Sequence, residues 1–194
     1  MEHYFSEKQS SEFKIKKIKV HAKNIEFELY SGSGVFSKDM LDAGSKLLIE
    51  KAKIKGNVLD IGCGYGAVGI AIKKLNPELN VILSDINERA IELAKLNAKK
   101  HSLNIAVIKS DIFSNIDAKF DTILLNPPQA AGKEVCFCMI KESSSHLKKS
   151  GFFELVARHN KGGSTYMKYM HEIFGNAKCI AKASGYRIYL SVKK

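Results

Sequence analysis

Residues 58–66 read VLDIGCGYG, a short run of strand formers that passes into a turn studded with glycines. The segment that closes it and follows it, GAVGIAIKKL at 66–75, spaces its apolar residues as a helix does. The strand, turn and helix decide the fold because the unit recurs downstream. VILSD at 81–85 precedes a predicted helix over 87–101, and IAVIKSD at 105–111 and DTILLN at 121–126 are further short apolar strands. A helix is expected over about 133–149, followed by FFELVA at 152–157. Apolar strands separated by helix-length segments are the mark of βαβ units and of a parallel sheet covered on both faces. The predicted fold is therefore α/β, with a doubly wound, mostly parallel, seven-stranded sheet.

Both ends of the chain depart from that rhythm. After a predicted helix at 164–173, CIAKA and YRIYLSV are joined only by Ser184-Gly185, enough for a hairpin but too short for a crossover. The last strand should run antiparallel. Near the other end, IKKIKVHAKNIEFELY at 15–30 alternates apolar and polar residues around an Ala-Lys-Asn turn, which reads as a β-hairpin. The loop SGSGVFS then leads to a helix expected over about 39–53. The expected organisation is an extension carrying a basic hairpin over 1–36, and one domain over 37–194.

Composition narrows the function. Lys and Arg number 31 against 20 Asp and Glu, a formal charge of +11 that favours polyanionic partners. The apolar runs fall short of the ~20 residues of a membrane helix. Met1 to Ser10 is polar, carries Glu2 and Glu7, and lacks the apolar core of a secretory signal, so a cytoplasmic location is expected. Cys63, Cys136, Cys138 and Cys179 show no disulfide rhythm, and Cys136-Phe-Cys138 has the wrong spacing for a zinc knuckle. They read as reduced thiols, and no metal is expected.

In an open α/β sheet, ligands sit beyond the carboxyl ends of the strands. The first strand runs into Asp60, Gly62 and Gly64, whose glycines let backbone approach a ligand closely. Gly64-Tyr-Gly66-Ala-Val-Gly69 is also a literal dinucleotide fingerprint, so a nicotinamide-dependent oxidoreductase is a rival reading. An ionised Asp60 at that strand end would repel a pyrophosphate, and suits instead a ligand bearing an ammonium and a sulfonium, as S-adenosylmethionine does. Asp85, with Ile86 beside it, ends the second strand where a carboxylate accepts ribose hydroxyls. Asp111 and Ile112 end the third, the carboxylate placed for an adenine amino group and the isoleucine for its ring.

The fourth strand ends in Leu125-Asn126-Pro127-Pro128. An Asn126 side-chain carbonyl and a Pro127 main-chain carbonyl held by proline's fixed φ make two acceptors for the two hydrogens of an exocyclic amine. Such a pair orients the nitrogen lone pair toward a methyl donor and stabilises the charge that grows on nitrogen.

These motifs resemble class I S-adenosylmethionine-dependent methyltransferases of the small-domain type, a group that includes the guanine-N2 methyltransferases of small-subunit ribosomal RNA. The resemblance runs from about Tyr4 to Tyr189 and rests on GSGVFSKDMLDAGSKLLIE at 32–50, VLDIGCGYG at 58–66, SDIN at 84–87 and LNPP at 125–128. It implies that Asp60, Gly62 and Gly64 line the methionine part of the cofactor, Asp85 the ribose and Asp111 the adenine, with Asn126 and Pro127 at the target amine. It also implies that Phe36 and Ser37 lie near the cofactor. Many amino methyltransferases carry an aromatic or bulky apolar residue after the two prolines, and here Gln129 stands there.

Lys16, Lys17 and Lys19 on the hairpin, and Lys161 after the fifth strand, are candidate phosphate contacts. An exocyclic amine is reachable only on an unpaired or flipped base, which suits RNA loops. The chain reads as an RNA base-amine methyltransferase, with guanine N2 in ribosomal RNA favoured. Beside the oxidoreductase, two further functions compete with it: a protein glutamine methyltransferase, which also uses Asn-Pro-Pro, and a noncatalytic RNA-binding module.

Overall fold

The structure, a computed structural model, describes residues 6–9 and 12–194. A two-stranded antiparallel hairpin, β1 (Ile15–Ala22) and β2 (Ile25–Gly32), precedes helix α1 (Ala43–Lys51). There follow β3 (Asn57–Ile61), α2 (Ala67–Leu75), β4 (Asn80–Asp85), α3 (Glu88–Lys100), β5 (Ala106–Lys109) and β6 (Phe120–Leu125). The chain closes with α4 (Lys133–Ser145), β7 (Leu147–Arg158), a single wide turn over His159–Gly163, α5 (Ser164–Phe174), β8 (Lys178–Ala183) and β9 (Tyr186–Val192). The seven-stranded sheet has the order β5-β4-β3-β6-β7-β9-β8. Its first five strands are parallel, and β9 is antiparallel to both neighbours, so the last strand of the chain inserts between β7 and β8 and does not form the edge.

Strand alternation divides the core in two. Val58, Leu124, Val156 and Ile188 face one side, packed with α1, α2 and α3. Leu59, Ile61, Ile123, Leu125 and Leu155 face the other, against Met139 and Ile140 of α4 and Tyr166, Met170 and Phe174 of α5. Burial on both faces explains why the central strands read as unbroken apolar runs. The hairpin belongs to the first cluster through Ile18, Val20, Phe27 and Leu29. Buried Asn97 of α3 ties it down: Oδ1 accepts from Tyr30 N at 2.6 Å, and Nδ2 donates to the carbonyls of Tyr30 at 2.8 Å and Tyr65 at 2.9 Å. One side chain thus fixes the hairpin against the glycine loop that follows β3.

Two boundaries depart from expectation. The fourth helix stops at Ser145, because its serine-rich end is a poor helix former, and β7 begins at Leu147. Leu147 is buried opposite Phe120, and an irregularity then shifts the register to Thr122 opposite Phe152. The segment before β3 is held from below by the sheet: Lys53 N donates to Glu154 Oε1 at 2.7 Å, Lys55 N to Thr122 Oγ1 at 3.1 Å and Asn57 N to Asp121 Oδ2 at 2.8 Å. Glu154 is fully buried, and desolvation pushes its pKa up to about 8. Among the described residues no helix is long and apolar enough to cross a membrane.

Candidate active site

A pocket opens at the carboxyl ends of β3, β4, β5 and β6, where the strands hand over to their loops. Its floor is the turn after β3. Gly62, Gly64 and Gly66 have φ of +68°, +56° and +87°, conformations that only glycine adopts without strain. A Cβ built on Gly64 would meet nothing within 4 Å and would stand in the pocket. Gly69 has a different task, since a Cβ there would lie 2.1 Å from Leu83 Cδ2. It lets α2 settle onto β4.

Asp60 is buried, and its Oδ2 accepts from Gly69 N at 2.9 Å. This N–H belongs to the first turn of α2, where donors lack helical partners and an anion would otherwise bind. The dinucleotide fingerprint is therefore present in letters, while its phosphate donor is already taken by a carboxylate. Burial, opposed by the Gly69 hydrogen bond and reinforced by the charge of Asp85, pushes the Asp60 pKa up to about 7. Asp85 accepts from Gly64 N at 2.8 Å through Oδ2 and from Asn87 N at 2.9 Å through Oδ1. Burial raises its pKa, and these backbone donors pull it back. A carboxylate has about four lone-pair sites, so each Asp85 oxygen keeps capacity for a ligand hydroxyl.

Ile86 and Ile112 supply apolar wall, and Asp111 stands exposed at the mouth. From the other side Val35 and Phe36 enter through the loop after the hairpin, which Asn87 pins by donating Nδ2 to Gly34 O at 2.8 Å. Ser37 follows Phe36 in this loop. It lies outside the pocket lining, with φ of +53°, and its hydroxyl donates to Met40 O, closing its own loop.

Asn126 and Pro127 line the same pocket. The Asn126 Nδ2 donates to Asp42 Oδ1 at 3.2 Å and to Ser45 Oγ at 3.1 Å, so both amide hydrogens are engaged and Oδ1 is left as the acceptor. Asp42 is the N-cap of α1, and its Oδ1 also accepts from Gly44 N at 2.9 Å and Ser45 N at 3.0 Å. Neither Asp42 nor Ser45 stands out as a site residue in the sequence reading. A signal was present in the segment DAGS ahead of an apolar helical run, which marks an N-cap.

The basic residues fall in three places. Lys16 pairs with Asp39 of the loop before α1. Lys17 and Lys19 are exposed on the hairpin, Lys19 opposite Glu28 and toward the far end of α3, away from the pocket. Lys161 lines a separate cleft beside β8 and β9. Gln129 begins a short turn of 3₁₀ helix at 129–131, and its side chain lies outside what the structure describes, as does Tyr4.

Comparison with known proteins identifies the family. Residues 26–190 match the methyltransferase small domain model. The chain is 37% identical over 198 residues to YbxB of Bacillus subtilis, covering 99% of this chain and 98% of that protein. It is 36% identical over 167 residues to ribosomal RNA small subunit methyltransferase C of Photorhabdus laumondii, covering 83% of this chain and 48% of that one. The chain thus spans about half the length of that ribosomal RNA methyltransferase. The fold is shared with the T. thermophilus 16S rRNA guanine-N2 methyltransferase solved with AdoMet and guanosine, at a TM-score of 0.83 and 22% identity over 93% of this chain and 51% of that one.

Proposed function

Since the chain belongs to the methyltransferase small domain family and is thereby an S-adenosylmethionine-dependent methyltransferase, we propose that it methylates an exocyclic amine of an RNA base, namely guanine N2 in small-subunit ribosomal RNA. The observation that carries this reading is the state of Asn126, whose amide hydrogens are held by Asp42 and Ser45 while Oδ1 remains to accept from an amine.

The pocket fits the cofactor. Gly62 and Gly64 leave a cradle that a Cβ on Gly64 would fill, and two carboxylates, the buried Asp60 and the half-buried Asp85, suit an ammonium and a pair of ribose hydroxyls. Bound there, the cofactor supplies an electrophilic methyl on a positively charged sulfur. Asn126 Oδ1 and the Pro127 carbonyl accept the two amine hydrogens and turn the nitrogen lone pair toward that methyl. Asn126 Oδ1 and the Pro127 carbonyl, already in place, would stabilise without reorganising the positive charge that grows on the amine nitrogen as it takes the methyl. The surplus proton then leaves to solvent. Exposed Lys16, Lys17, Lys19 and Lys161 would contact phosphates at separate places on a folded RNA, Lys19 away from the pocket, and such a substrate puts the reaction in the cytoplasm.

The test is transfer of labelled methyl to unmodified RNA, followed by mapping of the modified nucleotide. N2-methylguanine in small-subunit ribosomal RNA is the expected product. Methylation of a glutamine-bearing peptide with RNA left untouched would overturn the substrate class while leaving the cofactor chemistry intact.

A further inference from the structure

Lys182 of β8 and Arg187 of β9 stand directly opposite each other in the antiparallel register. Like charges so placed destabilise a sheet. On the other flank of β9, Arg158 at the end of β7 faces Tyr186, with its guanidinium 4.9 Å from the ring centroid. Lys161, in the wide turn that follows, completes a cleft lined by all four cations. Among the described residues no carboxylate lines it, and none of the four makes an ion pair.

The cleft is built on fixed backbone. His159 N donates to Gly185 O at 3.3 Å, tying the wide turn to the β8–β9 turn, and His159 Nδ1 lies 2.9 Å from Tyr189 Oη. A Cβ on Gly163 would stand 2.8 Å from Arg158 O, so the turn is closely packed. It also lies near the reacting end of the pocket. Leu125 pairs with Leu155, which puts Asn126 level with Val156, so Arg158 is one strand over from Asn126 and about 7 Å along it at ~3.3 Å per residue. Tyr186 abuts Gly44, with a ring carbon 3.0 Å from an ideal Cβ there, between the two residues that hold Asn126.

We propose that this cleft takes a phosphodiester of the RNA strand adjoining the base presented to Asn126. The inference rests on the RNA reading above and names the side of the site on which the strand runs. The Arg187 guanidinium offers forked donors matched to phosphate oxygens, and the bound anion supplies the countercharge that Lys182 and Arg187 lack.

The test uses the protein saturated with S-adenosylhomocysteine and, as probe, an unmodified transcript of small-subunit ribosomal RNA titrated at several salt concentrations. A double Lys182→Gln, Arg187→Gln variant should bind the transcript about tenfold more weakly, with a salt slope shallower by roughly 0.7 for each phosphate contact removed. Its cofactor affinity should be unchanged and its Tm equal or higher, because an unfavourable charge pair is gone. Arg158→Gln, at an exposed site on another strand, should weaken binding in the same direction, and Arg158→Lys should restore most of the salt slope. Unchanged affinity and slope in these variants, with the wild type binding and methylating RNA, would overturn the cleft alone. A wild type that methylates a glutamine-bearing peptide and neither binds nor methylates RNA would overturn the cleft together with the RNA reading.

Discussion

The Asn126 side chain donates to Asp42 Oδ1 at 3.2 Å across 84 residues of chain, and the same Asp42 oxygen caps helix α1. One carboxylate oxygen therefore does two things at once: it starts a helix, and it settles which end of the Asn126 amide is left to accept.

Asn126→Ala should lower single-turnover methyl transfer by ~10² to 10³ with cofactor affinity close to normal, as expected when a preorganised charge-stabilising partner is lost. Asn126→Asp would set a carboxyl against Asp42, and two like charges at hydrogen-bond distance keep one proton between them. In its protonated form the introduced carboxyl donates to Asp42 and still offers a carbonyl oxygen. Its activity relative to wild type should rise as pH falls, and a flat ratio across pH would count against the amide geometry described here.

Ser45→Ala and Asp42→Ala should lower turnover through Asn126 without contact with the reacting atoms. Asp42→Ala should also cost about 0.5–2 kcal/mol of stability, as loss of an N-cap does. Asp42→Asn keeps a capping oxygen and should recover most of that stability. Thermal melts and single-turnover rates on the same preparations separate the two effects.

Asp85→Ala should weaken cofactor binding by about 1–3 kcal/mol, the range for removing a charged acceptor from hydrogen-bonded partners. The variant also frees Gly64 N and Asn87 N, so the loss should exceed that of Asp85→Asn, which keeps an acceptor. Calorimetry with unchanged affinity in both variants would remove Asp85 from the site.

Cofactor affinity should rise with pH up to about 7 and then level, because Asp60 in the empty pocket holds its proton until about pH 7 and an ammonium beside it favours the ionised form. Binding below that pH should release a proton, visible as a buffer dependence of the calorimetric heat. Asp60→Asn should remove the pH dependence and bind more weakly above pH 7.

Glu154 carries the sharpest stability prediction. Its folded pKa of about 8 lies above the ordinary glutamate value of 4.5, so between these limits the native state holds a proton that the unfolded chain has lost. The stability associated with the neutral form is complete below the unfolded value and is lost as pH rises through the folded one. Glu154→Gln should therefore flatten the fall in stability between about pH 5 and 8, and should exceed wild type at pH 8 by on the order of a few kcal/mol. Denaturant titrations with parallel pH slopes for the two proteins would refute the buried-proton account.

The parallel sheet, its two covered faces and the antiparallel last strand were legible in the chain, because strand and helix periods are local properties of side-chain spacing. So were the glycine turn and the acids Asp60, Asp85 and Asp111, because βα connections always deliver strand ends to one edge. The end of α4 and the early start of β7 were not legible, since pairing of Leu147 with Phe120 outweighs the helical pattern of the preceding residues. The partner of the Ser37 hydroxyl, the Met40 carbonyl three residues away, was not legible either.

By itself, then, the sequence determined which residues end each strand and what chemistry they carry, because those are matters of local order along one chain. Tertiary structure alone decided that Asp42 and Ser45 hold the Asn126 amide, that Gly69 gives its N–H to Asp60, and that Lys182 faces Arg187. Each of these depends on two segments meeting at hydrogen-bond or strand-pairing distance. That distance is set by how the sheet orders its strands and how the helices pack upon it, which no spacing of residues along the chain encodes.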